Sequence, residues 1–272
     1  VTLFEAAPEA GGQLRLAAKS PRRRDLAGIV DWRLDRLADM KVDVRYNVYA
    51  EAGDVLAEQP DVVVVATGGL PNTDILESGG ELAVSSWDIL SGDAAPGANV
   101  LVYDDNGAHP GMQAAEMLAE AGARVEIVTP ERFFAPEIGG LNHVAYAKAF
   151  QRHSVRITIN TRVAAVTRAG NGLSVRLCSD YADETPGDGW QRQVDQVVVE
   201  QGTLPLDDLY FALKPGSVNL GEVDHAALIA GKPQTVVRNP AGGYRLWRIG
   251  DAVSSRNVHA AIYEALRLCK DI

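Results

Sequence analysis

The chain has 272 residues, 46% apolar and 23% charged, with a formal net charge of −10. That is enough apolar material for one large core or two modest ones, and the acidic balance argues against a nucleic-acid or anionic-membrane surface, the short run Arg22-Arg23-Arg24 reading as a solvated loop. No apolar run approaches the ~20 residues that span a bilayer and no signal peptide opens the sequence, so a cytoplasmic protein is expected.

Val1 to Glu5 reads as an apolar strand ending in an acid. In a dinucleotide fold a glutamate at the end of the second strand accepts hydrogen bonds from the adenosine ribose; a strand-end glutamate meeting solvent looks the same. A domain is not expected to start inside a strand, so a fragment of a longer chain is expected. Gly11-Gly12, before Gln13-Leu14, lets backbone amides approach a ligand, or forms a plain turn.

Asp25 to Met40 carries Leu26, Ile29, Val30, Leu34 and Leu37 at helical spacing, and Val42, Val44 and Tyr46 alternate as a strand. Asp61 to Gly69 is an apolar strand that breaks at Ala66-Thr67-Gly68-Gly69. Ser85 to Ser91, with Pro96 and Gly97 after it, reads as a linker.

Asn99 to Pro130 is one complete strand, turn, helix and strand unit. Val100, Leu101 and Val102 suit a parallel strand buried on both faces; Met112, Ala115, Leu118 and Ala119 recur at helical spacing; Gly122 stands where a left-handed cap belongs. The glycines of a G-x-G-x-x-G turn would fall on Asn106, Ala108 and Gly111, of which the packing glycine alone is kept. Asp104 and Asp105 end the strand where a pyrophosphate would sit, and two carboxylates oppose its charge. The unit therefore reads as a nucleotide-fold scaffold that does not hold NAD(P).

Beyond it, Leu141 to His153 reads as a helix, and Val155 to Ile159, Arg162 to Thr167 and Leu173 to Cys178 as strands, with Gly170-Asn171-Gly172 as a hairpin signal. Asp180 to Trp190 reads as a loop and Val194 to Gly202 as a single closing strand. Cys178 and Cys269 form no C-x-x-C, which excludes a redox pair, a zinc site and a four-cysteine cluster within this chain; the five histidines lack ligand spacing. Gly250-Asp251-Ala252 follows an apolar strand and opens a helix, a place where an aspartate and free N–H groups suit a ribityl chain or pyrophosphate.

Glu5, Gly11 to Leu14, Ala66 to Gly69, the altered turn at Asp104 to Gly111 and Gly250 to Ala252 occur in the order found in one known group. The chain resembles the C-terminal half of the trimethylamine dehydrogenase and 2,4-dienoyl-CoA reductase family, the old yellow enzyme-like NADH:flavin oxidoreductases. VYDDNG, VVVEQGTLP and RNVHAAIYEALRL resemble the N-methylproline and stachydrine demethylase-like branch.

The resemblance implies an α/β fold of two Rossmann-like lobes of the FAD/NAD(P)-binding, glutathione reductase-like kind. The first lobe, 1–95 plus 236–272, would be of FAD or ADP type and would lack its N-terminal strand; the second, 96–235, would be a degenerate NAD(P)-type lobe. Glu5 would hold the adenosine ribose, Gly11, Gly12, Gln13, Leu14, Ala66, Thr67, Gly68 and Gly69 would line the cofactor groove, and Gly250, Asp251 and Ala252 would meet the ribityl or pyrophosphate part of FAD or ADP. FMN and a 4Fe-4S cluster would belong to an N-terminal barrel outside this sequence, where a small-molecule substrate, an N-methylated amine, would react and pass electrons to an electron-transfer protein. An NAD(P)H-dependent enoate reductase and a non-catalytic ADP-binding docking module are the alternatives. No residue here is assigned to catalysis or to a metal, the fragment alone is expected to be inactive, and NAD(P) is not expected. Loss of the central strand would leave the edges of VTLFE and DVVVVA to close on each other or recruit another chain, so a homo-oligomer is expected.

Overall fold

The computed structural model describes residues 1–182 and 190–270. In chain order the elements are β1 Thr2–Glu5, α1 Gln13–Lys19, α2 Ala27–Asp39, β2 Asp43–Tyr46, α3 Ala52–Ala57, β3 Val62–Val65, β4 Gly69–Pro71, β5 Val84–Ser85 and α4 Ser86–Ser91. There follow β6 Asn99–Asp104, α5 His109–Glu120, β7 Arg124–Val128, α6 Gly140–Arg152, β8 Arg156–Thr158, β9 Arg162–Ala169, β10 Gly172–Cys178, β11 Gln191–Val194 and β12 Gln196–Glu200. Last come β13 Thr203–Pro205, α7 Asp208–Leu213, α8 His225–Ala230, β14 Arg245–Arg248 and α9 Val258–Cys269. The result is a mixed α/β fold with parallel sheets.

Two compact units divide the chain: Val1–Leu14, Ala27–Leu70 and Thr203–Ile272 form one, Arg15–Leu26 and Pro71–Gly202 the other. The first holds two separate parallel strand pairs. β1 pairs with β2 from Thr2↔Asp43 to Glu5↔Tyr46, and β3 with β14 from Val62↔Arg245 to Val65↔Arg248. Among the described residues β1 and β3 have no other strand partner, so the two edges do not close on each other. Val63, Val65, Tyr210, Leu213, Tyr244 and Leu246 make the core of this unit. The stripe on α2 is shallower than its sequence suggests, with Val30 the one buried residue.

The second unit contains a five-stranded parallel sheet in the order β5-β12-β6-β7-β8. Val100, Leu101 and Val102 are each 0% exposed. Because side chains alternate across a strand, Val100 and Val102 pack with Met112, Ala115 and Leu118 of α5, whereas Leu101 and Tyr103 pack with Val163 and Val175. Gly122 takes φ +93° just past α5. An antiparallel sheet, β11-β10-β9, includes the hairpin turned at Gly170, which has φ +58°.

Three expectations require correction. Ser85 to Ser91 is no linker: β5 pairs with β12, and Ser85 caps α4 by accepting from Asp88 N while Asp88 takes the Ser85 N–H, burying Ser86, Ile89 and Leu90. Val194 to Gly202 is two strands, since Asp195 turns the chain from the antiparallel to the parallel sheet; its N–H donates to Asn99 O at 2.8 Å and its carboxylate accepts from Asn99 N at 2.8 Å. Arg22 and Arg23 are not simply solvated, for Arg22 pairs with Glu116 and stacks over Tyr146, and Arg23 donates to Gln113. The loop expected over Asp180 to Trp190 lies mostly outside the described residues.

Candidate functional site

β3 and β14 run parallel, and the hydrogen bond from Ile249 N to Val65 O, 3.0 Å, carries their pairing one step past both strands. Ala66 to Gly69 and Gly250 to Ala252 therefore leave the same carboxyl end of one strand pair, the end at which open parallel sheets receive ligands.

Asp251 joins the second of these segments to the glycine turn. Its Oδ2 accepts from Gln13 Nε2 at 2.9 Å and from Thr203 Oγ1 at 3.4 Å, and its Oδ1 accepts from Arg256 N at 3.2 Å. Gln13 is the first residue of α1, so Gly11 and Gly12, at φ +125° and +47°, turn the chain directly into that contact. A Cβ on Gly12 would meet nothing within 4 Å, so this left-handed position faces open space. Leu14 closes the turn by donating its N–H to Gly11 O at 3.0 Å.

The two glycines of Ala66 to Gly69 differ. Gly68 has φ +75° and open space beyond its Cα, whereas a Cβ on Gly69 would lie 2.6 Å from Leu204 O and 2.9 Å from Thr203 Cβ. Gly69 thus admits the protein's own backbone. Thr67 donates its hydroxyl to Leu206 O, and Leu206 N donates to Gly68 O at 3.0 Å. Ala66 and Thr67 are exposed.

Glu5 is held at one oxygen: Oε1 accepts from Ala7 N at 2.9 Å, and no protein donor is recorded for Oε2. A half-buried carboxylate oriented by one backbone amide with the other oxygen open is what a ribose diol needs. No recorded hydrogen bond links Glu5 to Asp251 or to the glycine turn.

The Gly250 turn differs from expectation. A 3-10 turn over Gly250–Ala252 follows β14, and α9 starts later, at Val258, capped by Asn257 Oδ1 accepting from Ala260 N at 2.9 Å. The free N–H groups of that helix are hence not adjacent to Asp251. The Gly250 N–H donates to Glu264 Oε2 at 2.6 Å, and Arg256 Nη2 holds the same oxygen at 2.5 Å. Ala252 is fully buried, and its carbonyl accepts from Arg248, which also pairs with Asp207. Leu266 of α9 is 63% exposed, while Leu268 is buried. Thr203, Arg256 and Glu264 escaped the sequence reading. A backward-reaching glutamate fourteen residues on leaves no local signature.

In the second unit, the altered turn of Asn106, Ala108 and Gly111 encloses a carboxyl of its own. Asp104 is 0% exposed, its Oδ1 accepts from Gly107 N at 3.2 Å, and its Oδ2 has no partner. A Cβ on Gly111 would stand 2.7 Å from Asp104 Oδ1, so the retained glycine makes room for this carboxyl. Burial, reinforced by the neighbouring Glu200, pushes the Asp104 carboxyl up to about 8. Burial also raises Glu200, against hydrogen bonds from Ser86, Gly202 and Asn106. Asp105 stands apart, 3.5 Å from Arg162. At the start of α5, burial and then Arg23 lower His109 to about 4, and its Nδ1 lies 3.1 Å from Tyr146 Oη.

No protein-family model matches the chain. It is similar to a probable N-methylproline demethylase of Rhizobium meliloti (strain 1021), 56% identical over 272 residues, covering 100% of this chain and 40% of the relative. An N,N-dimethylglycine/sarcosine dehydrogenase of Chromohalobacter salexigens is 43% identical with the same coverages, and a multifunctional alkene reductase/demethylase of Caballeronia cordobensis is 41% identical over 99% of this chain and 40% of its own length. The chain thus spans about 40% of the length of these curated relatives. Among solved structures, histamine dehydrogenase from Rhizobium sp. 4-9 superposes with a TM-score of 0.78 at 23% identity, covering 98% of this chain and 39% of that one, which shows a shared fold. Among the described residues no helix is long and apolar enough to cross a membrane.

Proposed function

We propose that this chain is the nucleotide-binding part of a flavin-dependent oxidoreductase of the trimethylamine dehydrogenase and 2,4-dienoyl-CoA reductase family, and that the whole protein oxidises a C–N bond of an N-methylated amine. The observation that carries the nucleotide role is the meeting of Gln13, Thr203 and Asp251 at the carboxyl end of β3 and β14. The amine reading rests on relatives whose names are those of N-methylproline and dimethylglycine enzymes, similar along the entire chain.

The two units then act as Rossmann-like lobes, and the first takes the adenosine part of FAD or ADP. Glu5 holds the ribose through its open oxygen, while Gly12 and Gly68 admit backbone approach. Asp251 acts from one step back: its carboxylate fixes Gln13 and the Arg256 amide. Gly69 and the Gly250 amide fit a cofactor role poorly, since the protein itself occupies both. FMN, the iron–sulfur cluster and the residues that do the chemistry belong to the remainder of the protein. When bound, the flavin there supplies the two-electron acceptor for the amine.

An enoate reductase reading has relatives in its favour, among them the alkene reductase/demethylase and a more distant cinnamate reductase, 24% identical along the whole chain. It needs a nicotinamide nucleotide on α5, where Asp104 already takes an amide of the turn. The deciding experiment is mass spectrometry of ligands released from the full-length protein, followed by anaerobic addition of NADH, NADPH, N-methylproline or dimethylglycine. FMN with FAD or ADP, and flavin bleaching by an amine alone, is expected. Rapid bleaching by a nicotinamide nucleotide would overturn the amine reading in favour of the reductase.

A further inference from the structure

Away from the cofactor segments, the first unit has a partly open cavity of about 10 Å³ between β14, α9, α8 and the segment after it. Its polar wall is Lys232, Gln234, Arg245, Trp247 and Arg267, with Leu228 and Leu268 as the apolar wall. A space of this size holds one water-sized particle.

The wall supplies donors and cations, and it is short of acceptors. Trp247 is 2% exposed and its Nε1, which can only donate, has no acceptor. Gln234 is already engaged, its Oε1 accepting from Asp224 N at 2.8 Å and its Nε2 donating to Asp224 O at 3.1 Å, which leaves one lone pair of the oxygen open. Arg267 spends one of its five donors on Leu228 O at 3.0 Å. Among the described residues the side chains of Lys232 and Arg245 make no hydrogen bond or ion pair, and no carboxylate lines the cavity. A buried donor left without a partner is costly, so such groups are found satisfied by protein, water or an ion. A water would find more donors than acceptors among these side chains, with the second lone pair of Gln234 Oε1 open to it. A spherical anion accepts from every direction and is favoured by the three cationic residues of the wall.

We propose that this cavity binds one small monovalent anion of halide size. The anion ties β14 to α9 and to the chain after α8. Exposed Lys232 and Arg245 give it a route from solvent. The site is independent of the flavoprotein reading.

The test compares thermal unfolding of the chain in sodium chloride and in sodium gluconate at equal ionic strength, for the wild type, for a Lys232→Gln/Arg245→Gln variant and for Trp247→Phe. Both substituted cations are exposed, so the double variant is expected to fold. A ligand bound by the native state alone raises the midpoint with its concentration, here by about 2 °C or more at 0.2 M chloride. The increment should vanish in the double variant and shrink in Trp247→Phe. Equal midpoints in the two salts, as for a cavity that holds water alone, or an increment that survives in the double variant, would overturn the proposal. Anomalous diffraction from crystals grown in bromide should place a single peak beside Trp247; its absence would also overturn it.

Discussion

The Gly250 N–H donates to Glu264 Oε2 at 2.6 Å, so the turn after β14 carries an internal carboxylate where a nucleotide fold exposes an amide to phosphate. Gly250 holds φ +64° to make that contact. Arg256 Nη2 binds the same oxygen and also donates to Gly250 O at 3.2 Å, closing a ring of three residues. Glu264→Ala should lower stability by ~1–2 kcal/mol, the loss of charge-assisted bonds in a partly exposed setting. Chemical denaturation measures this. Unchanged stability would mean that the turn is held by its backbone alone.

Glu5→Gln should separate the proposed ribose binding from folding. The amide keeps an acceptor for Ala7 N, so the unfolding midpoint should move little. The open oxygen loses its charge, and affinity for ADP, read by calorimetry on the full-length protein stripped of nucleotide, should fall about tenfold or more, matching a ~1.5–3 kcal/mol charged hydrogen bond. Equal affinities for the two proteins would remove Glu5 from the site.

Gly68 and Gly69 stand next to each other and should behave differently. Gly69→Ala drives a methyl into the Leu204 carbonyl and should cost ~3 kcal/mol as an overpacking clash with backbone. Gly68→Ala meets nothing within 4 Å and should cost only the ~1 kcal/mol of a left-handed alanine. Comparable losses at the two positions would contradict the geometry.

The elements most legible in sequence are those whose burial the chain decides locally. Val100 to Val102 and the helical spacing of Met112, Ala115 and Leu118 had one way to pack, and all six are 0% exposed. Serine, proline and glycine make the Ser85 turn resemble a linker, although Ser85 and Asp88 carry capping-box spacing. Asp195 within an apolar run hid a change of sheet, since one residue that bonds Asn99 twice has no periodic signature. At the candidate site the sequence pointed to Gln13 and Asp251 separately. Their contact spans 238 positions, and Glu264, which fills the Gly250 amide, lies beyond any motif.

The bare edges of β1 and β3 should be satisfied in solution. Each of these strands has a single partner among the described residues, and unpaired strand edges recruit other chains. Light scattering coupled to size exclusion should report a dimer or larger species of this chain, growing with concentration. A monomer at every concentration would show that the edges are covered in some other way.

Asp104 makes the second unit sensitive to pH. Its carboxyl, raised from 3.8 to about 8 by burial and then by Glu200, binds a proton in the folded state at pH values where the unfolded chain has released it. Between those two values the native state therefore binds more protons than the unfolded one, and stability falls as pH rises, by at most ~1.4 kcal/mol per pH unit for one group. The stabilising contribution is complete below the ordinary value and is lost as pH rises through about 8. Asp104→Asn keeps an oxygen for Gly107 N and cannot ionise, but it brings an amide donor to the unpartnered position of Oδ2. The variant should be no more stable than the wild type at pH 5 and more stable at pH 8.5, with a shallower slope between. Some slope should remain from Glu200, which burial raises as well. Urea midpoints at four pH values decide the matter, and parallel curves for the two proteins would mean that Asp104 is ionised in the folded state.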